Sequence, residues 1–178
     1  MKRFSKALTL GSILIGVFCV TFYFFYKRAQ KNLSQPLILT SAVINKPLPK
    51  AELINVSGNL LDDANLRRGK VILAFTLTDC PPCDKENEFL KTVITSRPDV
   101  KFFYVIPFGN RQQVLKAAQE KYSFETFFDD GSMLIRSLQV YEVPLKVFVE
   151  DGIIKKTWVD PTVTNQGKAA FNEWLTGL

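Results

Sequence analysis

Cys80-Pro81-Pro82-Cys83 sits where an apolar run, Val71-Ile72-Leu73-Ala74-Phe75, gives way to a segment with Phe89, Leu90, Val93 and Ile94 at helical spacing. A strand that hands over to a helix at a Cys-x-x-Cys constrains the fold more than any other feature of the chain. The first thiol lands at a helix N-terminus, where unpaired N–H groups and the positive end of the dipole favour a thiolate. The second lies one turn along, close enough to close a small disulfide. The pattern predicts dithiol chemistry, with Cys80 as the attacking, exposed thiol and Cys83 as its partner.

The rest of the composition narrows the alternatives. There is no histidine, which removes Cys–His and Ser–His catalysis and histidine metal ligands. The cysteines are Cys19, Cys80 and Cys83, too few for a four-ligand zinc site. A three-residue spacing closes almost no loop entropy, so a purely structural staple has little to offer. No metal or other cofactor is expected. Net charge is +6, but the basic excess is Lys2, Arg3, Lys6, Lys27, Arg28 and Lys31, with no acid before Lys46. From Lys46 onward 17 basic residues balance 17 acidic ones, so the folded part offers no nucleic-acid surface.

Ala7 to Tyr26 carries no charge over 20 residues, the length a helix needs to cross a bilayer core. Phe22 to Tyr26 adds an aromatic collar. Lys27-Arg28-Ala29 makes a poor cleavage site, which favours an uncleaved anchor over a signal peptide. Phe18 stands where a lipid-modified Cys19 would need a small residue, so Cys19 reads as an apolar residue of the anchor. The expected organisation is a tail at 1–6, a transmembrane anchor at 7–26, a linker at 27–45 and a folded domain at 46–178.

Within the domain, Lys46-Pro47-Leu48-Pro49 is an opening turn. Leu53 to Leu61, turning at Ser57-Gly58-Asn59, predicts a short β-hairpin. A strand over Val71–Leu77, a helix from Cys80 to Ser96 and a strand over Lys101–Ile106 follow. Next come a helix capped by Asn110 that runs to about Tyr122, with Val114, Leu115, Ala117 and Ala118 inward, an extended piece at Phe124–Phe128, and a turn at Asp129–Ser132 that caps a helix over Met133–Leu138. Leu145–Glu150 and Ile153–Val159 flank Asp151-Gly152, a strong hairpin signal. A last helix, Gln166–Thr176, has Phe171, Trp174 and Leu175 on its core face. Strands alternating with helices predict an α/β fold: a central, partly parallel, mixed sheet with helices on both faces.

The strand leading to Cys-Pro-Pro-Cys-x-x-Glu, the Val143-Pro144 pair before a strand and the closing Asp-Gly hairpin together resemble thioredoxin-fold proteins. The resemblance is to the membrane-anchored group related to TlpA and ResA, and it covers Lys46 to Leu178. It implies a thioredoxin-like domain. It implies a cis Pro144 packed beside the sulfurs, leaving the Val143 backbone to pair with an extended substrate segment; from the residues alone, Pro144 could also be a trans proline opening an edge strand. It implies that Glu86 helps move the proton of Cys83; the alternative is a solvated first-turn glutamate favoured by the helix dipole. The chain departs from the family at Asp79, where Trp is common, at Thr76, where aromatics are common, and at Ala74, where thioredoxin itself has a buried aspartate.

These residues point to a thiol–disulfide oxidoreductase. It would act on protein disulfides or thiols on the extracytoplasmic, periplasmic side of a membrane and be recharged by a separate membrane or soluble dithiol donor. Asp79 and Asp84 place negative charge near Cys80. They predict a less acidic thiol and a reducing potential, nearer the roughly −270 mV of thioredoxin than the roughly −120 mV of DsbA. Leu77 lacks the hydroxyl that a peroxiredoxin places three residues before its cysteine, and copper delivery would want a Cys-x-x-x-Cys with histidine. Asp79 and Thr76 keep one rival open: a non-catalytic interaction or holdase module at the membrane.

Overall fold

The computed structural model describes residues 42–122, 124–140 and 142–178, together with Thr21 and Tyr23. Apart from Thr21 and Tyr23, the 7–26 run lies outside the described residues, as does the 27–41 part of the linker. Among the described residues no helix is long and apolar enough to cross a membrane.

Six strands form one sheet: β1 (Leu53–Asn55), β2 (Lys70–Phe75), β3 (Val100–Ile106), β4 (Thr126–Asp129), β5 (Leu145–Glu150) and β6 (Ile153–Trp158), in the order β1-β4-β3-β2-β5-β6. β2 and β4 both run parallel to β3, while β1, β5 and β6 are antiparallel to their neighbours. Parallel neighbours need long crossovers, and α2 (Pro81–Thr95) and α3 (Arg111–Glu120) supply them. The sheet is thus mixed, with helices on both faces.

The period of two along each strand separates the two cores. Leu73, Phe75, Phe103, Val105, Phe127, Val147 and Val149 point to one face, where they meet Leu66 of α1 (Asp63–Arg67) and Leu134 and Ile135 of α4 (Met133–Ser137). Ile72, Ala74, Phe102, Tyr104, Ile106 and Phe148 point to the other. There they pack on Leu90 and Ile94 of α2, Val114 and Ala117 of α3, and Phe171 and Leu175 of α5 (Asn165–Thr176).

Several local expectations shift. The hairpin partner of β1 is a single bridge between Ile54 and Leu60, and the long-range partner of β1 is β4. The short helix α1, for which the sequence reading named no element, is capped by Asp62, whose carboxylate accepts from Ala64 N. β2 ends at Phe75, two residues early: Thr76 N still donates to Val105 O of β3, and Leu77 O turns to Tyr122 Oη on the way into α2. Leu115 and Trp174 are only half-buried, whereas Val114, Ala117, Phe171 and Leu175 are buried. The turn at Asp129–Ser132 does cap α4, through Asp129, which accepts from Leu134 N and Ile135 N, while Ser132 donates its hydroxyl to Pro107 O. The β5–β6 turn has φ of 48° at Asp151 and 78° at Gly152. A type I′ hairpin requires positive φ at both positions, and Asp-Gly satisfies it at little cost.

Candidate active site

Cys80 is the N-cap of α2, with Pro81 and Pro82 at the first two helical positions. Neither proline has an N–H to leave unpaired, so the double proline fits a helix start. Cys80 and Cys83 are joined in a disulfide with Cα atoms 5.3 Å apart. Cys83 N donates to Cys80 Sγ at 3.3 Å. Asp84 N donates to Cys80 O at 3.0 Å. In this oxidised form Cys80 is 6 % exposed and Cys83 2 %. Cys80 is therefore far less open than expected, although it is the more accessible of the two, and the exposed prolines follow it.

The loop before Cys80 is tied to the end of α3. Tyr122 Oη donates to Leu77 O at 2.8 Å and shares a hydrogen bond with Thr76 Oγ1 at 2.9 Å. Lys121 Nζ donates to Thr78 O at 2.9 Å and to Asp84 Oδ2 at 3.1 Å. Thr76, odd by comparison with the resembled family, is thus a buried partner of Tyr122. Lys121 corrects the electrostatic expectation. Asp84 does not face Cys80 as an uncompensated charge, because the ammonium of Lys121 accompanies it; Asp79 remains exposed.

Beneath the disulfide the buried face of α2 is polar. It carries Cys83, Glu86 and Asn87 before it becomes apolar at Leu90 and Ile94. Glu86 is 2 % exposed, which rules out the solvated glutamate. Its Oε2 accepts from Lys146 Nζ at 2.6 Å, Thr162 N at 3.0 Å and Thr162 Oγ1 at 3.2 Å. Asn87 accepts from Tyr104 Oη at 2.8 Å and donates to Lys121 O at 2.5 Å. Burial pushes the Tyr104 hydroxyl well above a tyrosine's usual value, with the Glu86 charge adding to it. Burial pulls the Lys146 ammonium below its usual value, while Glu86 pulls the other way.

Lys146 is fully buried, registered opposite Ala74 of β2. Sequence reasoning missed it, although a signal was present. Leu145-Lys146-Val147-Phe148-Val149 is apolar on both faces, so a lysine there has no solvent side to point to. Thr162 and Lys121 carried no such signal, since loops and long-range folding bring them in.

The Val143–Pro144 peptide is cis. Leu145, the next residue, pairs with Phe75, the last residue of β2, so Pro144 and the loop leading to Cys80 leave the sheet at the same end of these two interior strands. Pro144 is buried and Val143 half-buried.

No protein-family model and no curated protein matches the chain. Solved structures do. A secreted Mycobacterium tuberculosis disulfide oxidoreductase homologous to Escherichia coli DsbE aligns at 21 % identity and TM-score 0.60, covering 71 % of this chain and 95 % of its own. StoA from Bacillus subtilis aligns at 23 % and 0.57, covering 72 % and 99 %. The thioredoxin domain of a thiol-disulfide oxidoreductase from Bacteroides vulgatus aligns at 18 % and 0.59, covering 71 % and 96 %. The fold is thioredoxin-like. On this thioredoxin-like frame Glu86 is a buried acid on the helix that begins with the cysteines, and its cation lies opposite Ala74 of the neighbouring strand.

Proposed function

We propose that the chain is a thiol–disulfide oxidoreductase that exchanges disulfides with protein substrates through Cys80 and Cys83. The observation that carries this reading is the Cys80–Cys83 disulfide at the N-terminus of α2. The fold shared with the disulfide oxidoreductases above supports it. Cys80 thiolate attacks a substrate disulfide and forms a mixed disulfide. Cys83 attacks Cys80 Sγ, the bond to the substrate sulfur breaks, and the substrate leaves with two electrons and a proton. An external dithiol returns the Cys80–Cys83 pair to its reduced form.

Val143 and Pro144 would receive the substrate. A half-buried Val143 before a cis proline leaves backbone groups for an extended segment to pair with. Glu86 acts on Cys83 from one turn along the helix. The 7–26 run would anchor the domain, and the 27–45 stretch would hold it outside the cytoplasm; one of the similar structures is of a secreted protein.

The test is trapping. Cys83→Ser in the full chain should accumulate mixed disulfides through Cys80, released by reductant and absent from Cys80→Ser/Cys83→Ser. The native protein should also reduce insulin with dithiothreitol as donor. No adducts and no insulin reduction would leave the exchange reading without support and favour a non-catalytic module.

A further inference from the structure

The segment that carries Cys80 into α2 has few holds of its own. Thr76 N donates to Val105 O of β3, and the chain then leaves the sheet. From Leu77 to Asp79, among the described residues, two hydrogen bonds tie it to the rest of the fold: Tyr122 Oη donates to Leu77 O at 2.8 Å and Lys121 Nζ to Thr78 O at 2.9 Å. The same ammonium donates to Asp84 Oδ2 at 3.1 Å. Thr78 comes just before Asp79-Cys80, and Asp84 follows Cys83. A single cation therefore closes the neck of a loop that contains both cysteines. The backbone of Lys121 is itself fixed, since its N–H donates to Ala117 O and its carbonyl accepts from Asn87 Nδ2 of α2. Only the side chain has to be ordered for the neck to close.

We propose that Lys121 is a positioning residue for exchange: by tying Thr78 to Asp84 it keeps Cys80 within reach of Cys83 whenever the two are not bonded, which speeds the step that closes the Cys80–Cys83 disulfide. The inference rests on the exchange reading, in which Cys83 resolves the mixed disulfide on Cys80. In the disulfide the covalent bond itself holds the Cα atoms 5.3 Å apart. Once that bond is broken, α2 still fixes Cys83, whereas Cys80 is the N-cap and follows the segment before it. Holding two reacting groups in place beforehand leaves little freedom to lose at the moment of reaction. Opening of the disulfide by an outside thiol gains nothing from the neck, because there the sulfurs are already joined. Closing is favoured and opening is not, so the dithiol becomes the stronger reductant by the same factor.

Charge alone makes a different forecast. Loss of the Lys121 ammonium leaves the surroundings of Cys80 more negative, and loss of the Asp84 carboxylate leaves them more positive. An effect carried by the field at the sulfurs would therefore have opposite signs in the two variants. The neck opens in both, because it needs both ends. The side chains of Lys121 and Asp84 are 39 % and 40 % exposed, so water competes for the tie. Its loss should slow closing by about three- to tenfold, not by orders of magnitude.

The experiment uses the full chain with Cys19→Ala, so that the two cysteines of the site are the only thiols. Reduced protein is mixed with the symmetrical disulfide of thionitrobenzoate. Cys80 thiolate attacks it, keeps one thionitrobenzoate as a mixed disulfide and releases the other, at a rate proportional to the reagent. Cys83 then attacks Cys80 Sγ, its proton goes to solvent, and the bound thionitrobenzoate is released at a rate independent of the reagent. Lys121→Met and Asp84→Ala should each slow this second release about three- to tenfold per folded molecule. The double variant should be no slower than the slower single one, since both remove the same tie. The first release, an encounter with an anionic reagent, should follow charge, falling in Lys121→Met and rising in Asp84→Ala. The equilibrium constant for disulfide formation against glutathione should fall by the factor seen in the second release, a shift of about 15–30 mV towards the oxidising side. A lysine that served stability alone would move neither the second release nor this constant. Second releases that shift in opposite directions in the two single variants, or match the native rate, or slow only in step with the first, overturn the role of Lys121. Native protein with no reagent-independent release overturns the exchange reading, and the role of Lys121 falls with it; native release that the variants leave unaltered overturns the role alone.

Discussion

Asp129 and Glu86 are both buried carboxylates, 0 % and 2 % exposed, on opposite faces of the sheet. They differ in what meets their charge. Asp129 accepts from two backbone N–H groups in the first turn of α4 and does a helix cap's work, its charge set against the positive end of the dipole. Glu86 meets an ammonium from another strand, and it lies on the helix that begins with the cysteines. The first acid fastens an element to the sheet. The second sits in a polar layer, with Asn87, Tyr104 and Lys146, where an apolar core would serve stability as well or better. Buried charge of the second kind lies on the face of the sheet covered by the helix that begins with the two cysteines.

That contrast can be broken most sharply at Glu86. Glu86→Ala strands Lys146 in the core and should cost about 3–5 kcal/mol, while Glu86→Gln/Lys146→Met, which removes both charges, should fall within about 1 kcal/mol of native. Urea unfolding monitors both, and equal losses would mean the pair is ordinary packing. Asp129→Ala comes next. It strips two buried N–H groups of their acceptor and should cost about 2–4 kcal/mol. The rate of thionitrobenzoate release per folded molecule should be unchanged, and a changed rate would erase the distinction between the two acids.

The smallest effect belongs to an exposed acid. Asp99 receives both Arg97 Nε at 2.8 Å and Arg97 Nη2 at 2.9 Å, and this pairing holds its carboxyl down at about 2. A carboxyl lowered by folding binds its proton more readily in the unfolded chain. Its contribution is therefore complete above about pH 4 and fades as the pH falls towards about 2. The urea midpoint of native protein should drop slightly more between pH 6 and pH 3 than that of Asp99→Asn; parallel curves would show that the pair contributes nothing to stability.

Much of this was legible in the chain. Strand alternation, the double proline after Cys80, Asn110 as a cap and Asp151-Gly152 as a turn each follow from local chemistry, and the structure reproduces them with shifts of a residue or two. Cys80 and Cys83 were legible because a three-residue spacing at a helix start is also local. What escaped was long-range. Glu86 could be read as either buried or solvated, since a glutamate six residues into α2 carries no mark of its environment. Lys146 was hidden by habit, because a lysine suggests surface; the apolar residues on both sides of it said otherwise. Lys121, Tyr122 and Thr162 meet the site only once β3, α3 and β6 are in place, and nothing near them in the sequence announces it.

Tyr122 and Lys121 grip three carbonyl or hydroxyl groups of the segment that leads into Cys80. The approach to the sulfurs is thus moored to a helix that contributes no group to the chemistry. A chimaera that borrows residues 111–122 from another protein would therefore import a different berth for Thr76, Leu77 and Thr78, and would have to bring its own Lys-Tyr pair just past the helix to keep the dithiol in line.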